Sequence, residues 1–484
     1  MVSFLIALTV LIGGYFIYGA IVEKIVGADP TRPMPSETKR DNVDYIPIPA
    51  WKVFLIQFLN IAGLGPIFGA IMGVMFGPAA FLWITLGTIF AGAVHDFVSG
   101  YTSIRYGGAS LPEIVGHELG VGIKRVMMVF SVVLLILVGA VFIFTPAQLL
   151  SAMTPEWMSN SFWIIMIFIY YLLATLLPID KLIGKLYPLF GFALLFMALG
   201  ILGVMLFSSD ITIPIDFSNG FANTQTDPAS HPVFPMMFVS IACGAISGFH
   251  ATQSPMMARC LTNEKLARPI FYGAMVAEGI VALIWAAAAI AFTGGYDKLA
   301  EYFSTHSGGA ATLVNEISTT WLGAFGGILA ILGVVAAPIT SGDTALRSAR
   351  LIISDAFNFD QKNIGRRLMI TLPMFAVVAG IMMIDFNVLW RYFAWSNQTL
   401  SVFTLWAVTV YLARHHKFYF ITLIPAIFMT VVCVTYLLFA PRPEGLGLDI
   451  TVAVGAGAGV AVVFAALFAN YLRRLRINIE PSID

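Results

Sequence analysis

His95, Asp96 and Glu278 are ionisable side chains set inside long apolar runs. A charge at membrane depth costs about 3 kcal/mol to insert, so such groups mark functional sites by default. Two carboxylates and an imidazole are groups that accept and pass on protons. Asp96 stands nine residues before Arg105, and Glu278 lies about as deep in a later run counted from the same side. At 1.5 Å per residue both sit roughly 13 Å from that edge and could share a layer, with His95 relaying the proton. Asp96 can equally hold the His95 ring as a structural pair, which leaves Glu278 as the clearer proton carrier.

A second chemistry belongs to the backbone. Gly63-Leu64-Gly65-Pro66 interrupts one apolar run, and Ser247-Gly248-Phe249-His250-Ala251-Thr252-Gln253-Ser254-Pro255 interrupts a later one. Hydrocarbon offers no hydrogen-bond partner, so a helix breaks there only where protein or a wet cavity covers the freed groups. Paired breaks in two halves of a chain point to a transporter's binding site. A half-helix N-terminus presents unpaired N–H groups and a positive dipole end. Pro66 and Pro255 would lie near the first positions of two such half-helices. A cargo carboxylate could dock on Gly63, Gly65 and Pro66 from one break and on Ser247, Gly248, His250, Thr252 and Gln253 from the other. The plainer alternative is that these groups only satisfy the broken backbone.

The elements that must hold these residues are membrane helices. The chain is 59% hydrophobic and 11% charged, where a soluble protein carries about 25% charged residues. Its mean hydropathy is +0.89. The fold class is therefore all-α and polytopic, and the zero net charge gives no sign of a nucleic-acid partner. Cys243, Cys260 and Cys433 have neither metal nor disulfide spacing and read as packing residues. Residues 2–22 lack a basic start and a cleavage site, so they read as a retained span rather than a signal peptide.

Thirteen windows have the length to span. They are 2–22, 53–75, 79–104, 126–147, 161–178, 186–208, 234–258, 269–293, 322–341, 367–385, 388–413, 418–439 and 449–472. With the N-terminus outside, 23 of the 26 Lys and Arg fall in connections that face the cytoplasm; Lys298, Arg391 and Arg442 do not. The C-terminus is then cytoplasmic. Residues 209–233, with Asp210, Asp216 and Asp227, form an acidic external loop, and Tyr296–Phe303 reads as an amphipathic lid. Ser110-Leu111-Pro112-Glu113 predicts the start of a short cytoplasmic helix.

With the first span set aside, spans 2–6 and 7–11 form two groups of five in opposite orientation, each opening with a broken helix. Their third members also match, through Thr145-Pro146-Ala147-Gln148 and Pro338-Ile339-Thr340-Ser341-Gly342-Asp343. This is a five-plus-five inverted repeat. The organisation follows: 1–52 an extra span and loop, 53–208 the first repeat, 209–233 the external loop, 234–413 the second repeat, and 414–484 two further spans.

At these residues the chain resembles the carbon starvation protein A family. The matching segments are Asp44-Tyr45-Ile46-Pro47, Ile61-Ala62-Gly63-Leu64-Gly65-Pro66-Ile67, Gly92-Ala93-Val94-His95-Asp96-Phe97 and Ser103-Ile104-Arg105 with Ser110-Leu111. Cys243-Gly244-Ala245-Ile246-Ser247-Gly248-Phe249-His250-Ala251 and Thr344-Ala345-Leu346-Arg347-Ser348-Ala349-Arg350 complete the set. The family's better-known, longer members carry His-His-Phe where this chain has Ile56-Gln57-Phe58. The resemblance implies a bacterial inner-membrane importer of short peptides or pyruvate, used in starvation, with the LeuT-like core of the amino acid–polyamine–organocation superfamily. In such cores a cation can sit between carbonyls of the first core helix and hydroxyls of the eighth. The matching positions are Ala62 and Gly63, with Thr340 and Ser341; the hydroxyls can equally bond back to their own helix.

No G-x-x-x-x-G-K-[ST] occurs, so the chain does not itself power transport with ATP. A secondary active transporter coupled to H⁺ or Na⁺, with no required cofactor, is the leading reading. A channel would want a filter loop or a ring of charges. A starvation sensor without transport would want a soluble output domain, and an enzyme would want a metal set or a nucleophile–base pair. Histidines on different helices leave a b-type haem open. Asn397 and Gln398 read as interhelical hydrogen-bonders, and Gly455 and Gly459 could support a homodimer.

Overall fold

The apolar runs fold as helices, and no strand occurs among the described residues. The structure is a computed structural model. It describes every residue except 177–178, 216, 218–219, 307–308, 360, 362–363, 385, 443 and 478–484. Asp216 of the acidic loop lies outside the described residues.

In chain order the helices are α1 (Val2–Val26), the two halves of a bent span, α2 (Ala50–Ala62) and α3 (Gly65–Val74), and α4 (Ala79–Arg105). The short α5 (Leu111–Leu119) precedes the long α6 (Val121–Met153), α7 (Asn160–Leu176) and α8 (Ile179–Phe207). A second broken span consists of α9 (233–240) and α10 (Gly248–Ala258). Then come α11 (Glu264–Thr293), α12 (Tyr296–Thr305), α13 (Gly309–Ala330) and α14 (Leu332–Phe357). The series closes with α15 (Ile364–Ile381), α16 (Phe386–Arg414), α17 (Phe420–Phe439) and α18 (Ile450–Ile477).

Among the described residues eight helices are long and apolar enough to cross a membrane, and up to ten spans result if each of two bent pairs counts once. The other expected spans are the short α7, the broken α9–α10 and the polar-studded α16. The short helix predicted after Ser110 is α5, where the Glu113 carboxylate accepts the Ser110 N–H at 3.0 Å. The amphipathic stretch at Tyr296 is α12.

One expected span is misplaced. The window 322–341 ends the ninth span at Ser341, but the helix runs on to Phe357, after a kink at Gly323. Asp343, Arg347 and Arg350 end the apolar window, yet all three are fully buried in protein rather than facing lipid. Thr340 and Ser341 therefore lie within a helix rather than at its end. α14 packs along α6 in the most extensive helix pair of the molecule. These are the third members of the two groups of five. Pro146 in α6 cannot donate to the Phe142 carbonyl four residues back; the Tyr171 hydroxyl donates to it at 2.9 Å.

Candidate functional site

The first break is built by Gly63. Its φ of +40° and ψ of −133° turn the chain out of α2, in a region costly for residues with a Cβ. Pro66 stands in the first turn of α3, as its sequence position implies, and the two halves are bent by 54°. Gly65 faces the second break directly: a Cβ there would lie 2.0 Å from the Cys243 Cβ. The two interruptions touch.

The second break lies earlier than the sequence reading placed it. The unwound stretch is 241–247, and α10 is helical from Gly248 through Pro255, which is its eighth residue rather than its first. The reason is external support. The Thr88 hydroxyl donates to the Gly244 carbonyl at 3.0 Å. Gly92 leaves room for the Ala245 carbonyl, which a Cβ would meet at 2.1 Å. α10 packs along α4 and α16, which hold it helical through its proline.

Asn397 and Gln398 bond across helices as expected, and each holds one stump of the broken span. The Asn397 Oδ1 accepts the Phe249 N–H at 2.7 Å and the Ser247 hydroxyl at 3.0 Å. It thus serves as an N-cap supplied by another helix. Gln398 Nε2 donates to the Phe238 carbonyl of α9 at 3.1 Å.

A cavity of about 330 Å³ opens beside the touching breaks. Gly65, Ser240, Cys243, Trp390, Tyr436 and Glu444 are among its lining residues. Of the residues expected to bind cargo, Gly65 lines it; Gly63, Pro66, Ser247, Gly248, His250, Thr252 and Gln253 do not. Gly248 is a packing glycine, since a Cβ there would meet the Ser401 nitrogen at 2.3 Å and the Asn397 carbonyl at 2.4 Å. The Thr252 hydroxyl donates to Phe249 O at 2.6 Å, and Gln253 Nε2 to Thr252 Oγ1 at 2.8 Å.

The ionisable residues come together, but in a different order. His95 Nδ1 meets Asp96 Oδ1 at 2.7 Å, and Asp96 Oδ2 meets His250 Nδ1 at 2.8 Å. His250 Nε2 then reaches Glu278 Oε2 at 3.5 Å. All four are fully buried. His250, not His95, stands between the two carboxylates, and Glu278 has a partner that the sequence did not reveal. Of the expected cation seat, Ser341 reaches the first broken helix, donating to the Leu59 carbonyl at 2.9 Å. Thr340 turns back on its own helix, donating to Ala337 O at 2.8 Å.

Sequence reasoning assigns Gln57 no role beyond standing where longer family members carry histidine, and passes over Asn60 of the same helix, α2. Both are fully buried, and their side-chain amides have no hydrogen-bond partner among the described residues. Their signal was available, as polar groups in an apolar helix.

The family described as carbon starvation protein CstA matches residues 1–161, 146–320 and 299–436. A Haemophilus influenzae membrane protein is 44% identical over 60% of this chain and 91% of its own length. The peptide transporter CstA of Campylobacter jejuni is 26% identical over 86% of this chain and 77% of its own. The pyruvate/proton symporter BtsT of Escherichia coli is 27% identical over 54% of this chain and 45% of its own. Among solved structures, MhsT in complex with L-phenylalanine superposes with a TM-score of 0.53 at 15% identity, covering 84% of this chain and 98% of that one. The nucleobase-cation-symport-1 family transporter MHP1, closed around a bound hydantoin, gives 0.54 at 12% identity, covering 92% and 96%. The fold is thus the LeuT-like one.

Proposed function

Because the chain belongs to the carbon starvation protein CstA family, a family of multi-pass bacterial inner-membrane transporters rather than enzymes, we propose that it is a secondary active importer of a small carboxylate-bearing nutrient, short peptides or pyruvate, used during starvation. The observation that carries the reading is the pair of helix breaks in contact at Gly65 and Cys243, with a cavity of about 330 Å³ beside them. A cavity of this size is at the small end for ligand sites. Alternating access would proceed by rocking one part of the repeat against the rest around this point. The thirteen-span topology, with the N-terminus outside and the C-terminus cytoplasmic, is supported by the distribution of Lys and Arg.

Coupling runs through the buried chain His95–Asp96–His250–Glu278, which spans α4, α10 and α11 and so connects the second break to two neighbours. If the coupling ion is sodium, its seat would be built from Ala62, Gly63 and Ser341, with Thr340 turned away and Ser341 already in contact with the first broken helix. The experiment is uptake of labelled pyruvate and of a labelled dipeptide into proteoliposomes, under imposed pH and sodium gradients. Accumulation of one cargo above equilibrium under a proton gradient is expected. Glu278→Gln should abolish that accumulation and leave exchange of labelled for unlabelled cargo. Ohmic conductance without accumulation would sink the importer reading. Full proton-driven accumulation by Glu278→Gln would remove that residue from the coupling path.

A further inference from the structure

Cys243, His250 and Glu278 come from three separate stretches: the unwound segment, α10 and α11. Each offers one ligand atom, these atoms lie within 4.8 Å of one another, and all three residues are buried. We propose that they bind a single divalent transition-metal ion of the zinc class, which pins the unwound segment to α11.

The donor set selects the ion. A thiolate, an imidazole and a carboxylate suit Zn²⁺ or its softer analogue Cd²⁺, whereas Na⁺, Mg²⁺ and Ca²⁺ prefer all-oxygen sites. Bonds of 2.0–2.3 Å in a tetrahedral site set ligand atoms about 3.3–3.8 Å apart. His250 Nε2 and Glu278 Oε2 already stand at 3.5 Å. Apart from their mutual 3.5 Å contact, His250 Nε2 and both Glu278 oxygens have no hydrogen-bond partner among the described residues, whereas the Cys243 thiol donates to Ser247 Oγ at 3.6 Å and accepts from Asn397 Nδ2 at 3.7 Å, long contacts that a metal would displace. Asp96 completes the arrangement. It contacts the other ring nitrogen of His250 at 2.8 Å, the place where a metal-binding histidine usually meets a carboxylate that fixes its ring. Access is provided by Cys243, which lines the cavity beside the breaks. Three protein ligands leave one position of a tetrahedral ion open.

Bound there, the ion would tie together elements that must shift against each other in alternating access and would block the Glu278 end of the coupling chain. This arrest, unlike the binding itself, rests on the transport reading. The test is binding of Cd²⁺ alone to the purified full-length protein in detergent, without cargo or gradient. One Cd²⁺ per chain is expected, with thiolate-to-cadmium charge-transfer absorbance in the ultraviolet. Cys243→Ser should lose the absorbance. His250→Gln and Glu278→Gln should each weaken binding by about tenfold or more, and Cys260→Ser and Cys433→Ser should change nothing. No absorbance in the native chain, retention of it in Cys243→Ser, or its loss in Cys260→Ser or Cys433→Ser overturns the proposal. If Cys243→Ser does not fold, undiminished Cd²⁺ affinity in Glu278→Gln overturns it instead. No transport step enters this assay, so its failure is distinct from failure of the importer reading, which the uptake assay decides.

Discussion

At the scale of single residues, the candidate site depends on absent side chains as much as on present ones. Gly65 has no room for a Cβ because the Cys243 side chain occupies that space. Gly65→Ala should therefore force the breaks apart, at the cost of about 1–3 kcal/mol typical of overpacking. A lowered thermal midpoint in detergent, partly restored when Cys243→Gly is added, would support direct contact; an unchanged midpoint would refute it. This contact was half legible in the sequence. Gly-Leu-Gly-Pro announces a break by composition, but nothing in the order of residues shows that residue 65 abuts residue 243. The same holds for His250. It reads as one polar group near a break, and only folding places it between Asp96 and Glu278. Local chemistry is written in residue types, whereas pairing between separate helices is set by packing.

At the scale of elements, α16 holds both ends of the broken span through Asn397 and Gln398. Asn397→Ala would strip the cap from α10 and free the Ser247 hydroxyl, for a loss of about 1–3 kcal/mol. Asn397→Asp keeps an acceptor for the Phe249 N–H and should recover part of it. Thermal unfolding of both variants checks the order; equal midpoints would show that the cap is idle. Helix positions were legible because long apolar runs can fold in hydrocarbon only as helices. Their limits failed where apolarity stopped being a guide. α14 continues past Ser341 because protein, not lipid, surrounds Asp343, Arg347 and Arg350. The unwound stretch was misplaced for a related reason, since Thr88 supports it from another helix.

At the scale of the whole molecule, 23 of the 26 basic residues should face one compartment, with Lys298, Arg391 and Arg442 outside that set. With single cysteines introduced in a background lacking the native three, Ser209→Cys and Lys298→Cys should react with a membrane-impermeant maleimide in intact cells. Lys265→Cys and Arg414→Cys should react only after permeabilisation. All four positions are exposed. Uniform labelling of the four would overturn the thirteen-span topology. The all-helical membrane fold class was legible at this scale because a bilayer imposes few solutions, whereas cargo size depends on a volume that no residue list contains. That volume has a thermodynamic consequence. At about 30 Å³ for each molecule in the liquid, the cavity of about 330 Å³ holds on the order of ten waters. If the proposed cargo fills this cavity it must evict them, so apparent affinity in the uptake assay should rise with external osmolality, and a chain that binds its cargo this way would keep loading it as water becomes scarce.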